Sequence, residues 1–186
     1  RISVCRSYLL RAHIDDDSVP LEETLGAFSK LVEAGKVRAI GASNYSADRL
    51  REALQVSADK GLKRYEIMQP GYNLYDRAGF EQELAALAQG EELGVVSYFS
   101  LASGFLTGKY ASRDDLKGAA RAGFLEGFFD ERGMQLLETL RKVSADVGAT
   151  PAQVSLAWLM TRPGVTAPIA SATSVEQLDD ILAAAE

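Results

Sequence analysis

Short apolar runs alternate with helix-like patterns along most of this chain, and that alternation restricts the folds it can adopt. In the first predicted helix, Leu21, Leu25 and Phe28 recur at the spacing that lines one helix face. Strands that alternate with helices favour a parallel sheet with crossover helices. The predicted strands cover residues 8–12, 37–41, 65–68, 94–98 and 165–170, and the predicted helices 21–34, 47–60, 78–87, 134–147, 153–160 and 175–184.

The number of strand-helix units leaves two architectures open. An eight-stranded β/α barrel needs roughly 250 residues, whereas five units take up the 186 residues here. Five parallel strands could equally form an open sheet, so periodicity alone does not choose between a partial barrel and a complete small α/β fold. No linker-like segment divides the chain, and we therefore expect one domain over residues 1–186.

Composition argues against several classes of partner. The formal net charge is −6 and acidic residues are interspersed with basic ones, so we expect no nucleic-acid or anionic membrane partner. No apolar run approaches the roughly 18 residues of a membrane span. The single cysteine cannot form an internal disulfide, which fits a reducing cytoplasm, our expected location, or leaves the compartment open. We find no metal-ligand motif and expect no metal site.

Capping residues mark the starts of three predicted helices. Ser46 is placed to cap the helix that begins near residue 47. Thr150 with Gln153, and Ser174 with Gln177, both match the capping box, in which hydroxyl and amide side chains satisfy otherwise unpaired N–H groups. Between the fourth strand and the next helix lies a long excursion, and loops of this length are functional or disordered.

Polar side chains follow two of the predicted strands. Ser43 and Asn44 follow the second strand, and Gln69 follows the third. Because α/β proteins place ligand sites at the carboxyl ends of their strands, these side chains are candidate ligand groups. By themselves, Ser43 and Asn44 could also serve as caps of the helix near residue 47.

Four stretches of sequence together resemble the aldo-keto reductase family. They are VRAIGASNY at 37–45, QPGYN at 69–73, YFSLASGFLTGK at 98–109 and PIASATSVEQL at 168–178. The resemblance covers nearly all of the chain from about residue 9 onward and matches the later part of that family's barrel. It implies an α/β fold that is a partial (β/α)8 TIM barrel, containing about the last five β/α units. We therefore expect the domain to be incomplete at its amino terminus.

The single histidine, His13, follows the first predicted strand. A lone histidine is by default a surface or structural residue. The resemblance implies a catalytic one, because a family histidine at this strand end orients the substrate carbonyl beside a tyrosine general acid activated by Lys and Asp. No Tyr, Lys or Asp here matches those motifs, so we expect no carbonyl reductase activity from the 186 residues alone.

The resemblance also implies a nicotinamide pocket. Ser43, Asn44 and Gln69 would hydrogen-bond the nicotinamide carboxamide, whose donor and acceptor atoms complement amide and hydroxyl side chains. Tyr98 would stack against the nicotinamide ring, although an aromatic residue at a strand end is more often a packing residue.

Two further groups of residues would hold the rest of a dinucleotide. The resemblance assigns the loop after the fourth strand to the pyrophosphate and the turn before the last helix to the adenosine ribose and its 2′-phosphate. The resemblance thus implies NADP as the cofactor, and NAD stays open as an alternative because no Lys or Arg lies in that turn to favour a 2′-phosphate. The pyrophosphate group comprises Ser100, Leu101, Ser103, Lys109 and Arg121, and the adenosine group Ser171, Thr173, Gln177 and Asp180.

Two functions from different classes follow from the resemblance. The first is an NAD(P)H-dependent oxidoreductase that transfers hydride between nicotinamide and a small aldehyde or ketone. The alternative is a non-catalytic, nucleotide-binding or regulatory remnant, similar to the β subunits of potassium channels. In a partial barrel the edges of the first and last strands would also be unpaired, and we expect self-association through them.

Overall fold

Strands and helices alternate throughout the described part of the computed structural model, which comprises residues 8–117 and 122–186. The first four strands pair in chain order, all parallel, and the sheet order of all five follows the sequence. This confirms the predicted α/β class and is consistent with a partial β/α barrel. The strands are β1 (Leu9–Ala12), β2 (Ala39–Ser43), β3 (Tyr65–Gln69), β4 (Gly94–Ser97) and β5 (Ala167–Pro168).

The helices follow the predicted pattern, with two corrections. A short helix, Ala122–Leu125, lies within the excursion after the fourth strand, where no helix is predicted. The helix predicted over 78–87 is two helices, because Glu83, at φ −133° and ψ −41°, interrupts the helical geometry. None of the described helices would span a bilayer. They are α1 (Leu21–Glu33), α2 (Ala47–Lys60), α3 (Ala78–Glu81), α4 (Leu84–Gly90), α5 (Ala122–Leu125), α6 (Glu131–Val147), α7 (Pro151–Met160) and α8 (Val175–Leu182).

The fifth strand is shorter than the sequence predicts. The expected strand covers 165–170, whereas β5 has two residues. Pro168 has no N–H to donate, so it cannot extend a ladder of hydrogen bonds. The next residue donates instead, from the Ile169 amide to the Ser97 carbonyl at 2.8 Å.

Helix caps confirm all three predicted starts and correct one of the two predicted capping boxes. Ser46 accepts a hydrogen bond from the amide of Arg49 at 3.2 Å, and Thr150 and Gln153 form a complete capping box. Ser174 caps α8 by accepting from the Gln177 amide, but the box is not closed. The Gln177 side chain bonds Thr173 instead of returning to the Ser174 amide.

Residues fall into two compact units that interleave along the chain. The first unit contains residues up to Pro70 together with Phe80–Val96, and the second contains Gly71–Gly79 together with Ser97–Glu186. In the first unit the sheet and α1, α2 bury an apolar core that includes Leu25, Ile40, Leu50, Tyr65 and Met68. The core of the second unit includes Ala102, Phe105, Leu106, Leu125, Phe129 and Leu137.

Candidate functional site

In the first unit, Ser43 and Gln69 lie side by side at the carboxyl ends of β2 and β3. They are partners in the parallel register, and the Ser43 hydroxyl donates to the Gln69 carbonyl oxygen at 2.9 Å. The strands approach closely at Gly41, where a Cβ atom would lie 2.6 Å from the carbonyl oxygen of Ile67. The sequence-based expectation that these strand ends share one edge of the sheet is therefore met for this pair.

The side-chain amide of Gln69 makes no hydrogen bond to any other residue within 8–117 and 122–186. Gln69 is only 5% exposed, so solvent reaches this amide through a small area. A carboxamide offers two N–H donors and an acceptor oxygen, and buried polar groups of this kind are ordinarily paired. A side-chain amide at a strand end, with little exposure to solvent and no partner among the described residues, is suited to bind a ligand that has both a donor and an acceptor.

His13 and Asn44 are joined by a hydrogen bond in the same unit. Asn44 has a left-handed φ of 57°, and its Nδ2 atom donates to the carbonyl oxygen of His13 at 2.8 Å. An ion pair between Arg49 Nε and Asp15 Oδ2, 2.7 Å long, ties the segment after His13 to α2. The imidazole follows β1 directly and is exposed, so it is accessible to a substrate.

Two phenols beside this segment are held in the neutral form. The hydroxyls of Tyr45 and Tyr65 lie 3.2 Å apart, and both residues are buried. Burial raises the pKa of both above the ordinary tyrosine value. A phenol with a raised pKa is a poorer proton donor near neutral pH, so neither is suited to act as a general acid.

In the second unit, Tyr98 directly follows β4 and lies against Gly71. A Cβ atom on Gly71 would lie 3.1 Å from the ring of Tyr98, closer than ordinary van der Waals contact. The Tyr72 amide donates to the Tyr98 carbonyl at 3.2 Å, which continues the pairing beyond the strands. The ring of Tyr98 can therefore occupy this position because residue 71 has no side chain. The same ring also makes an edge-to-face contact with Phe99, with the two ring centroids 5.1 Å apart.

The loop after Tyr98 contains several residues with left-handed backbone. Phe99, Ala102 and Ser103 have φ values of 54°, 47° and 57°, and Gly104 has φ 101°. Such conformations cost non-glycine residues of the order of 1–2 kcal/mol each and concentrate at functional sites. The backbone φ changes sign between Leu101, at −106°, and Ala102, at 47°. Such a change is typical of turns whose backbone N–H groups bind anions.

The other predicted pyrophosphate residues line the same loop or lie beyond the described part. The Ser100 hydroxyl donates to the Ser97 carbonyl at 3.2 Å and is buried. The Lys109 side chain folds back over Gly104, where a Cβ atom would lie 3.6 Å from its Nζ. A cation beside a left-handed turn favours an anion there. Arg121 lies outside the described residues.

The four residues predicted for the adenosine have unequal roles. Ser171 is exposed. Thr173 donates through its amide and hydroxyl to Oε1 of Gln177, at 2.9 and 3.0 Å. Asp180 accepts two hydrogen bonds at Oδ1, from the hydroxyl of Thr150 and from the side-chain Nε2 of Gln153, both at 2.9 Å. Asp180 therefore anchors the start of α7 in addition to any contact with a ligand.

Sequence reasoning missed one residue that organises the second unit. Asn73 is fully buried, and its amide bridges the segment 71–79 to the carbonyl oxygen of Phe99 at 3.0 Å. The spacing of Asn73 and Asp76 is a local turn signal that could have identified it. In the described ranges, no three His, Cys, Asp or Glu side chains come together as a group that could hold a metal ion.

Comparisons with known proteins point to one family. A sequence model described as the Aldo/keto reductase family matches residues 5–186. An uncharacterized oxidoreductase of Mycobacterium bovis is 35% identical over 187 residues, covering 100% of this chain and 56% of the relative. The L-glyceraldehyde 3-phosphate reductase of Escherichia coli is 30% identical, over 91% of this chain and 50% of the relative.

A third relative carries a different kind of name. A Schizosaccharomyces pombe protein named for the β subunit of voltage-gated potassium channels is 33% identical over 96% of this chain and 54% of its own length. The chain thus spans about half the length of the curated relatives that it matches.

Proposed function

This chain belongs to the aldo/keto reductase family of oxidoreductases, and from that premise we propose that it binds a nicotinamide dinucleotide, NADP, with NAD as the alternative. The activity we propose for the protein is hydride transfer between that cofactor and a small aldehyde or ketone. Bound nicotinamide supplies the hydride in such chemistry.

The unpaired amide of Gln69 carries the proposal. A nicotinamide carboxamide has one acceptor oxygen and an NH2 donor group, which complement the two halves of the Gln69 amide. The Ser43 hydroxyl donates to the Gln69 carbonyl oxygen. The hydroxyl oxygen still has lone pairs that can accept a hydrogen bond from the NH2 group of the nicotinamide. We assign Asn44 to the same carboxamide, and its Nδ2 atom donates to the carbonyl oxygen of His13.

The left-handed loop supports the assignment of the phosphates. We assign Ser100, Leu101, Ser103 and Lys109 to the pyrophosphate, with Arg121, and Tyr98 to the nicotinamide ring. Lys109 supplies the positive charge and the turn supplies N–H donors. In the proposal Ser171, Thr173, Gln177 and Asp180 contact the adenosine part of the cofactor.

His13 is the residue that we assign to the substrate. Its imidazole would donate to the carbonyl oxygen and orient it, and the hydrogen bond from Asn44 to its backbone would hold it in place. Orientation does not replace proton donation, so a general acid is required in addition.

Cofactor titration tests the proposal through Gln69. We expect Gln69→Ala to weaken NADPH binding, followed by fluorescence, by about tenfold to a hundredfold, because a hydrogen-bonded amide partner is lost. Gln55→Ala is the matched control, since Gln55 is exposed on α2 and bonds only Asp59. The same titration with NADH compares the two cofactors. Equal affinity for NADPH in both variants would contradict the carboxamide assignment.

A regulatory, non-catalytic protein is the second candidate. The similarity to a protein named for a channel β subunit is the observation that favours it. Under this reading the nucleotide still binds, but the protein encoded by the complete gene does not oxidise NADPH when an aldehyde is added. Steady NADPH oxidation by that protein would exclude the regulatory reading.

We also propose that the chain self-associates through its first and last strands. β1 stands first and β5 last in the order of the described strands, and in a partial barrel strands at these two positions would be edge strands, which recruit other chains. Sedimentation equilibrium of the 186-residue chain should show association at micromolar concentration. A stable monomer would contradict this proposal without bearing on cofactor binding.

A further inference from the structure

The carbonyl oxygen of Phe99 is the point at which the strained loop is held. It accepts from the amide of Ala102 at 2.7 Å and from Nδ2 of Asn73 at 3.0 Å. Phe99 itself has a left-handed φ of 54°, and its side chain is 51% exposed. A half-exposed ring offers little burial to offset an unfavourable backbone conformation, so the two hydrogen bonds must do so.

Asn73 is fixed before it reaches the loop. Its Oδ1 accepts from the amides of Tyr75 and Asp76, both at 2.8 Å, and the residue is fully buried. The side-chain oxygen of Asn73 therefore closes a local turn, whereas its Nδ2 atom donates to the Phe99 carbonyl oxygen at 3.0 Å and, at a longer 3.5 Å, to Oδ2 of Asp76. Only a side chain with an acceptor and a donor on one planar group performs both tasks.

The segment that carries Asn73 is anchored on its other side to α6. The Tyr75 hydroxyl donates to Asp130 at 2.6 Å, and the Arg132 guanidinium lies 4.5 Å from the Tyr75 ring centroid. Asp130 also caps α6 by accepting from the Gly133 amide at 2.7 Å. Contacts thus run continuously from the start of α6, through Tyr75 and Asn73, to the Phe99 carbonyl.

We propose that Asn73 is a positioning residue that keeps the loop from Phe99 to Gly104 in its left-handed conformation. The consequence for ligands rests on the proposed function: the loop then presents its N–H groups to the phosphates of the cofactor without rearranging on binding. Asn73 touches neither cofactor nor substrate in this account. Its effect on binding passes through the Phe99 carbonyl.

Asn73→Asp tests the donor half of the amide. The carboxylate keeps the acceptor for the Tyr75 and Asp76 backbone amides but loses the N–H groups, and it repels both the Phe99 carbonyl oxygen and the Asp76 carboxylate. We expect the Ala102 amide to exchange with deuterium about tenfold faster and NADPH to bind about tenfold more weakly. Thr139→Ala is the matched control, because it removes one side-chain hydrogen bond, to the Gln135 carbonyl oxygen, from the exposed face of α6 and leaves Asn73 and its partners intact. Exchange at Ala102 should stay within about twofold of wild type in that control.

Phe99→Gly separates strain from a general loss of structure. Glycine adopts a left-handed conformation without steric cost, so the loop should no longer depend on Asn73. In the Phe99→Gly background, Asn73→Asp should accelerate exchange at Ala102 by less than about threefold. If Asn73→Asp does not fold alone, recovery of the fold in the double variant supports the proposal, and continued failure overturns it.

The remaining outcomes distinguish this proposal from the proposed function. Unchanged exchange at Ala102 in Asn73→Asp, or an equal acceleration in both backgrounds, would overturn the role of Asn73 while NADPH binding by wild type stands. Faster exchange with unchanged NADPH affinity would overturn its link to the ligand. If the wild-type chain does not bind NADPH, the proposed function fails, and the exchange data alone decide whether Asn73 holds the loop.

Discussion

The strand ends of the first unit and the loop after β4 in the second unit hold their candidate ligand residues in different ways. At the strand ends, Ser43 and Gln69 lie in regular parallel pairing, and one left-handed residue, Asn44, follows. In the loop, Phe99, Ala102 and Ser103 are all left-handed. The strand ends take their geometry from the sheet, whereas the loop requires contacts from outside itself. We therefore expect the two regions to respond differently to the same kind of substitution.

The largest expected effect is at the sheet. Gly41→Ala would place a Cβ atom 2.6 Å from the backbone oxygen of Ile67, and paired strands cannot separate locally without losing hydrogen bonds. We expect the free energy of unfolding to fall by about 3 kcal/mol, measured by urea denaturation. Gly26→Ala is the control, since its Cβ position in α1 meets no atom within 4 Å apart from its chain neighbours and the backbone of its own helix. It should stabilise the chain by about 0.5–1 kcal/mol, and a stable Gly41→Ala would show that the strand ends are more adaptable than their pairing indicates.

Left-handed residues should give effects of opposite sign in the two regions. Ser103→Gly relieves strain at φ 57° and is expected to raise the free energy of unfolding by about 0.5 kcal/mol. Asn44→Gly has the same φ but loses the bond to His13, so we expect a decrease of about 0.5–1 kcal/mol. The chain has one histidine, and the imidazole NMR signals of His13 should shift in Asn44→Gly and not in Ser103→Gly. Shifts in both variants would show that the regions are not independent.

The smallest expected effect is a difference in acid sensitivity. The hydrogen bond from Tyr75, and then the amide of Gly133, lower the pKa of Asp130 below its ordinary value of 3.8. Because the folded pKa is the lower one, the ionised carboxylate stabilises the folded state above about pH 4, and this contribution is lost as the pH falls through the lowered pKa. Unfolding of the second unit by urea can be followed by the fluorescence of Trp158. We expect acid to lower the midpoint of this unfolding transition less in Asp130→Asn than in wild type. Equal acid shifts in the two proteins would show that Asp130 contributes nothing to this dependence.

Much of the secondary structure was predictable because its signals are local. The apolar period along α1, the cap at Ser46 and the capping box of Thr150 and Gln153 each involve residues within a few positions of one another. The helix expected over 78–87 was wrong, since its interruption at Glu83 has no such signal. The length of β5 was also wrong, although Pro168 carried the warning.

The candidate site also has features that local sequence predicts and features that depend on tertiary packing. By itself, the sequence determined which polar side chains follow which strands, because strand ends can be read from hydrophobic runs and because the motifs of a family are themselves sequence. Only the tertiary structure decided that the Gln69 side-chain amide bonds no other group of the described residues, that Asp180 bonds the start of α7, and that Asn73 bonds the Phe99 carbonyl. Asn73 and Phe99 are 26 positions apart. A hydrogen bond across that separation depends on how the chain packs, and no local period or propensity encodes it.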